Sequence, residues 1–82
     1  MAYTYILECG DGSYYVGSTK NLERRLLQHQ SGKGGAKYTR SHSPVKLVYF
    51  EEYDSTAEAY RREKELQSWR HTKKKDLIEG RR

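Results

Sequence analysis

The chain has almost no cysteine. Cys9 is the only one in 82 residues, which excludes a disulfide framework and a cysteine-based zinc site. It also lacks an apolar signal-type stretch at its start, so the expected compartment is a reducing cytoplasm. No apolar run approaches the roughly 20 residues that a membrane span requires, and a soluble protein without membrane association is predicted. Apolar residues make up only 34% of the chain, so a second domain would leave neither half enough surface to bury. One small domain spanning 1–82 is expected. Phe and Trp occur once each against eight Tyr. The core must therefore draw on tyrosines, whose hydroxyls need partners when buried.

Acid is scarce in one stretch. The net charge is +5, from 16 Lys and Arg against 11 Asp and Glu, and the excess is concentrated between Lys20 and Lys46. Seven basic residues stand there (Lys20, Arg24, Arg25, Lys33, Lys37, Arg40, Lys46) against a single acid, Glu23. A localised positive field interleaved with Tyr and Gly suits a polyanion, nucleic acid foremost. The bland alternative is a solvated basic surface.

The stretch from Tyr3 to His29 is the densest in ionisable side chains. Residues 3–9 alternate Tyr3, Tyr5, Leu7 and Cys9 on one face with Thr4, Ile6 and Glu8 on the other. Gly10-Asp11-Gly12-Ser13 offers positive-φ positions for a hairpin turn, and Tyr14-Tyr15-Val16-Gly17-Ser18 returns as a second strand. Asn21 is suited to cap a helix over about 22–31, with Leu22 and Leu26 facing inward and Gly32 just past its end. Arg25 and His29 form a second i, i+4 pair only ~60° from the leucine stripe. Residues 31–44 read as a mobile basic loop, with one helical turn around Ala36 to Arg40 and no Walker spacing. Val45 to Tyr53 is a third strand, read as an inner one, with Val45, Leu47 and Tyr49 on one face and Val48 and Phe50 on the other. Ser55 and Glu58 form a capping box for a helix to about Trp69, with Ala59 and Leu66 inward. Glu63 lies on that inner face, where an unpaired carboxylate is costly. A last helix, roughly Lys73 to Glu79 with Thr72 as cap, would dock Leu77 and Ile78.

Tyrosines from a hairpin, Arg25 and His29 from one helix and Glu63 from another are the parts that phosphodiester hydrolysis needs. The reaction takes a general base, a cation for transition-state charge and usually a hard metal on oxygen ligands. A guanidinium donates two parallel bonds to a phosphate, and Mg²⁺ commonly takes one or two carboxylates. A tyrosine could deprotonate water only if nearby positive charge lowered its pKa, and Arg25 and the basic loop would supply that charge. Each residue also has a plainer reading. Tyr5 and Tyr15 also read as half-buried strand residues, His29 as a helix-end residue interacting with the last carbonyls, and Glu63 as paired with Arg62 or Lys64 on a solvated face. His42 and His71 have no metal-ligand spacing and read as surface, and Trp69 as a core or capping aromatic.

Tyr3-Thr4-Tyr5-Ile6, Tyr15-Val16-Gly17, Asn21-Leu22-x-x-Arg25-x-x-x-His29 and Ala59-x-x-x-Glu63 together resemble the GIY-YIG endonuclease superfamily. The closest likeness is to its small single-domain branch. The resemblance implies an α+β fold, a three-stranded antiparallel sheet flanked by helices in the order β-β-α-β-α-α. It implies metal-dependent hydrolysis of DNA phosphodiester bonds, with Tyr5 and Tyr15 as the motif tyrosines, one of which activates water. Arg25 would stabilise the transition state, His29 would orient or deprotonate the tyrosine, and Glu63 would be the sole protein ligand of one Mg²⁺ or Mn²⁺. Lys20, Lys33, Lys37, Tyr38 and Arg40 are the candidate nucleic-acid contacts. In two places the chain departs from the pattern. Tyr3 and Thr4 replace the glycine and isoleucine of the first motif, and Ser18 stands where repair-nuclease relatives often place a lysine. With no accessory DNA-binding domain, affinity should be weak and salt-sensitive. The expected substrate is branched, damaged or single-stranded DNA in repair or recombination, with a protein partner for targeting. A non-catalytic nucleic-acid-binding module and a protein-interaction module are the alternatives.

Overall fold

In the computed structural model, which describes residues 1–31, 42 and 44–80, the tyrosine-rich start forms strand β1, Ala2–Cys9, and returns as β2, Tyr14–Thr19. The turn between them closes through Cys9 N–H donating to the Ser13 carbonyl at 2.8 Å and Gly12 N–H to the Cys9 carbonyl at 2.9 Å. Asp11 Oδ1 accepts from both the backbone N–H and the hydroxyl of Ser13, at 3.0 and 2.6 Å. Gly12 sits at φ +86°, a left-handed conformation that glycine adopts without penalty.

The third strand, β3 (Val45–Tyr53), completes an antiparallel sheet of order β2-β1-β3. β1 is therefore the inner strand and β3 an edge strand, which corrects the expectation that β3 would be internal. Burial explains the order. Thr4, Ile6 and Leu7 of β1 are all 0% exposed, whereas Phe50 of β3 is 51% exposed and Lys46 and Glu52 lie open to solvent. Strand β1 is covered on both faces, so its simple alternation understated how completely it would be buried.

The alternation expected for β3 also breaks. Ile6 faces Tyr49 while Leu7 faces Leu47, leaving Val48 as the extra residue of a bulge. Val45 and Leu47 pack with Tyr5 and Leu7 on one side of the sheet, and Val48 and Tyr49 with Ile6 and Leu66 on the other. Tyr49 has crossed to the opposite face from its predicted partners. The bulge thereby aims Tyr49 and the alternate residues after it at a single helix.

Helix α1, Leu22–Ser31, lies where it was predicted, and Asn21 Oδ1 accepts from Arg24 N–H at 3.0 Å. It covers the Tyr5–Leu7 side through Leu22 and Leu26. Helix α2, Thr56–Gln67, begins at its expected cap, with Ser55 Oγ accepting from Glu58 N–H at 3.2 Å. It ends two residues short of Trp69. The buried Thr4 hydroxyl donates to the Ala59 carbonyl at 2.6 Å and ties α2 to the middle strand. Helix α3 spans His71–Ile78 with Arg70 as its N-cap, not Thr72. Arg70 is extended and makes no side-chain capping bond. Leu77 and Ile78 join the Ile6–Val16–Leu66 cluster as expected, with Trp69. The sheet thus has α1 on one face and α2 and α3 on the other. The helical turn predicted around Ala36 to Arg40 lies outside the described residues.

Candidate active site

Gly17 of β2 is the point around which the predicted residues gather. It pairs directly with Tyr5 across the hairpin, and a side chain there would collide with it. A Cβ built on Gly17 would stand 2.5 Å from Tyr5 Oη, 2.7 Å from its Cζ and 3.1 Å from Tyr15 Cε2. The absent side chain makes room for two phenol rings on the α1 side of the sheet. Their centroids lie 6.5 Å apart.

His29 descends onto this pair from α1. Its Nε2 is 2.9 Å from Tyr5 Oη, its ring centroid 5.2 Å from that of Tyr15, and it is 0% exposed. This helix-end histidine is thus turned inward onto the sheet. Arg25, one turn earlier, is half-buried. Its Nη1 donates to Gln28 Oε1 at 3.0 Å, and its charge acts on both Tyr5 and His29.

The fifth residue arrives from the other face, around the open edge of β2. Ser18, next to Gly17, donates from Oγ to Glu63 Oε1 at 2.6 Å. Gln67, one turn further along α2, donates from Nε2 to Glu63 Oε2 at 2.9 Å and to the Val16 carbonyl at 3.2 Å. Glu63 is therefore oriented by neutral donors. The neighbouring Arg62 is engaged with Glu51 and Glu65. Each Glu63 oxygen accepts one of these bonds, which leaves lone pairs for a cation. A hard divalent ion that completes its shell with water and substrate oxygens fits such a single carboxylate. No cluster of three His, Cys, Asp or Glu side chains exists among the described residues, so an all-protein metal cage does not.

Electrostatics correct one expectation. Burial pushes the Tyr5 phenol up to about 12, against the Arg25 guanidinium that pulls it down and with Tyr15 and Glu63 reinforcing the rise. The lowered tyrosine pKa expected from nearby cations does not arise at Tyr5, because desolvation outweighs Arg25. Burial, and then Arg25, depress the His29 imidazole to about 4. At neutral pH the Tyr5–His29 hydrogen bond therefore joins two uncharged groups.

Tyr5, Tyr15, Arg25, His29 and Glu63 are thus brought together. Lys20 lies exposed after β2 and lines a groove of about 500 Å³ with Ser18, Thr19, Ala57 and Tyr60. Lys33, Lys37, Tyr38 and Arg40 lie outside the described residues. Sequence reasoning missed the supports of Glu63. Gln67 stands at i+4 from it, a spacing at which helix side chains meet, and that signal was readable. Ser18 was noted only for what it replaces, and its bond to Glu63 depends on how α2 docks.

A family model described as GIY-YIG catalytic domain matches residues 1–76. A UPF0213 protein of Syntrophus aciditrophicus is 49% identical over 76 residues, covering 93% of this chain and 87% of its own. A Staphylococcus saprophyticus UPF0213 protein is 46% identical over 76 residues, covering 93% and 92%. Among solved structures, a Bacillus halodurans UPF0213 protein determined by NMR superposes with a TM-score of 0.60 at 46% identity, over 96% of this chain and 84% of its own. An Enterococcus faecalis protein, also solved by NMR, superposes with a TM-score of 0.61 at 38% identity, over 95% and 82%. These names state no activity.

Proposed function

The chain belongs to the GIY-YIG catalytic-domain family, whose nucleases act on DNA and generally use a divalent metal, and from that premise we propose that it is a Mg²⁺- or Mn²⁺-dependent endonuclease hydrolysing DNA phosphodiester bonds. The observation that carries this reading is the convergence of two tyrosines, His29, Arg25 and Glu63 about one glycine at the open edge of β2. Service in repair or recombination, on branched, damaged or single-stranded DNA, is part of the same proposal.

The two tyrosines divide the work by their exposure. Tyr5 is 2% exposed and its hydroxyl is committed to His29, so it acts as a positioning residue that sets the imidazole. Tyr15 is half-buried on the edge strand and is the tyrosine able to meet a water at the surface. We assign it the removal of the proton from the attacking water, which its oxygen accepts as phenolate after its own hydroxyl proton has passed to solvent. His29, uncharged above about pH 4, packs against both rings and holds Tyr15 in place. Arg25 offers its guanidinium to the phosphate oxygens as negative charge builds on them. Glu63 would hold the metal, which when bound supplies positive charge to the phosphate and the leaving oxygen. Lys20, with Lys33, Lys37, Tyr38 and Arg40, would meet the strand through sequence-independent contacts.

The test is cleavage of labelled single-stranded, duplex and branched DNA with Mg²⁺, Mn²⁺ or EDTA, comparing wild type with Glu63→Gln, Tyr15→Phe and Tyr5→Phe. Wild type should cut only with metal, and Glu63→Gln should not cut while keeping its thermal transition. Tyr15→Phe should lose on the order of 10²–10⁴ in rate, the usual worth of a general base, and Tyr5→Phe less. Undiminished cutting by Glu63→Gln would remove its metal role. Salt-sensitive binding without cutting under any metal would make the chain a non-catalytic nucleic-acid-binding module.

A further inference from the structure

Helix α3 carries three consecutive lysines, and the fold uses them differently. Lys73 Nζ lies 4.2 Å from the centroid of the Trp69 ring, and Lys75 is exposed. Lys74 alone is half-buried, on the same face of the helix as His71 and Leu77. That face is the docking face. The His71 ring stacks on Tyr14 at 4.3 Å, its Nε2 is 2.9 Å from the Gly12 carbonyl oxygen, and Leu77 enters the core beside Tyr14. Lys74 thus occupies a position where an apolar side chain would continue the stripe.

It borders residues of the candidate active site. Lys74 lines a groove of about 230 Å³ together with Tyr14, Tyr15, Val16 and Gln67. Tyr15 and Gln67 are, respectively, the surface-reaching tyrosine and the residue that orients Glu63. No carboxylate among the described residues bonds to Lys74, and burial alone sets its ammonium below its ordinary value. A partly desolvated cation without a counter-ion is costly, and the cost is recovered when an anion enters the groove.

We propose that Lys74 is a phosphate-binding residue of this site, holding a phosphate of the substrate strand beside the one that is cut. The inference rests on the nuclease reading for its substrate but not for its geometry. Ammonium binds phosphate as a point charge, so Lys74 positions the strand along the β2 edge without reading its sequence. The competing role is structural, a lysine stem laid over Tyr14 with its charge in water.

The test separates binding from cutting. Oligothymidylate of six nucleotides is titrated into the full chain in EDTA, following the amide signals of Tyr15, Val16 and Gln67 by NMR at several salt concentrations. Wild type, Lys74→Met, Lys74→Arg and Lys75→Met are compared, each with its thermal unfolding curve. Lys74→Met should weaken binding on the order of tenfold and flatten the salt dependence by about 0.7 in log–log slope, the worth of one single-strand phosphate contact. Lys74→Arg should restore both, and Lys75→Met should change neither comparably. With metal, Lys74→Met should raise KM more than it lowers kcat. The proposal is overturned if Lys74→Met keeps the wild-type slope, if Lys75→Met loses as much, or if millimolar oligothymidylate shifts none of these signals. If wild type cuts DNA and Lys74→Met is unchanged, the proposal fails and the nuclease reading stands. If nothing cuts yet the slope change is found, the nuclease reading fails and the phosphate site stands.

Discussion

At His29, one buried hydrogen bond joins a helix to the middle strand, between two titratable groups that burial keeps uncharged. The imidazole is depressed to about 4, first by burial and then by Arg25, whereas an unfolded chain would titrate near 6.5. Between those values the unfolded state binds more protons than the folded one, so stability falls as pH drops from about 6.5 toward 4 and the loss levels off below that. The loss attributable to this residue is at most about 3 kcal/mol. Urea unfolding at pH 7.0, 5.5 and 4.5 should show it, and His29→Gln should flatten the slope over that window. A slope unchanged in the variant would assign the acid sensitivity to other groups. Gly17 belongs to the same scale, since its missing Cβ makes the room that the Tyr5 hydroxyl occupies.

Strand β3 and helix α2 are joined by a polar cluster on the face opposite the tyrosine–histidine pair. Arg62 grips Glu51 through two bonds, Nε to Oε1 at 2.9 Å and Nη2 to Oε2 at 3.1 Å. The hydroxyls of Tyr49 and Tyr53 donate to the same carboxylate at 2.5 and 2.6 Å. Burial would raise the Glu51 pKa, but Arg62 and the two tyrosines hold it below the usual range. The bulge at Val48 is what brings Tyr49, Glu51 and Tyr53 to one side. Replacing Arg62 by Met would leave a carboxylate with 20% side-chain exposure without its cation. Such a loss costs about 3–5 kcal/mol in a fully buried pair, and about 2–3 kcal/mol is expected here. Chemical denaturation reads it directly. A variant within 0.5 kcal/mol of wild type would mean that the phenols alone satisfy Glu51.

The whole molecule has a radius of gyration of 12.0 Å and packs a thin core on each side of one sheet, so tyrosines carry much of its burial. No helix among the described residues is long and apolar enough to cross a membrane. Burial first, in each case, sets the phenols of Tyr5, Tyr49 and Tyr53 at about 12, against ~10 for a free phenol. The folded state keeps these protons while the unfolded chain releases them, so stability is full below pH 10 and declines as pH rises toward 12. Alkaline titration should show cooperative unfolding in that interval, with tyrosinate absorbance rising together with loss of the circular dichroism signal. Stepwise ionisation without unfolding would show that the three phenols are open to water. The candidate site also exists only at this scale, because the tyrosines and His29 lie on one face and Glu63 on the other. They meet around the edge of β2.

Local chemistry was enough for the hairpin, the Asn21 and Ser55 caps and the extent of α1, whereas the roles of the five candidate residues rest on the family resemblance and are a proposal. Those local features depend on neighbours within a few positions, such as a glycine that reaches positive φ, a side-chain oxygen that caps a helix, or a pair spaced four apart. Tertiary structure decided the rest. Strand order depends on which strand both helix layers cover, and β1 with Thr4, Ile6 and Leu7 won that place over β3. The bulge at Val48 comes from pairing against β1, and no alternation within β3 announces it. Tyr5 went up in pKa because desolvation is a property of the packed site, while the charge of Arg25 could be read from its spacing. Gln67 is marked by its i+4 spacing from Glu63, but no short-range pattern marks Ser18 or Lys74, since such patterns do not say which helix will lie against the open edge of β2.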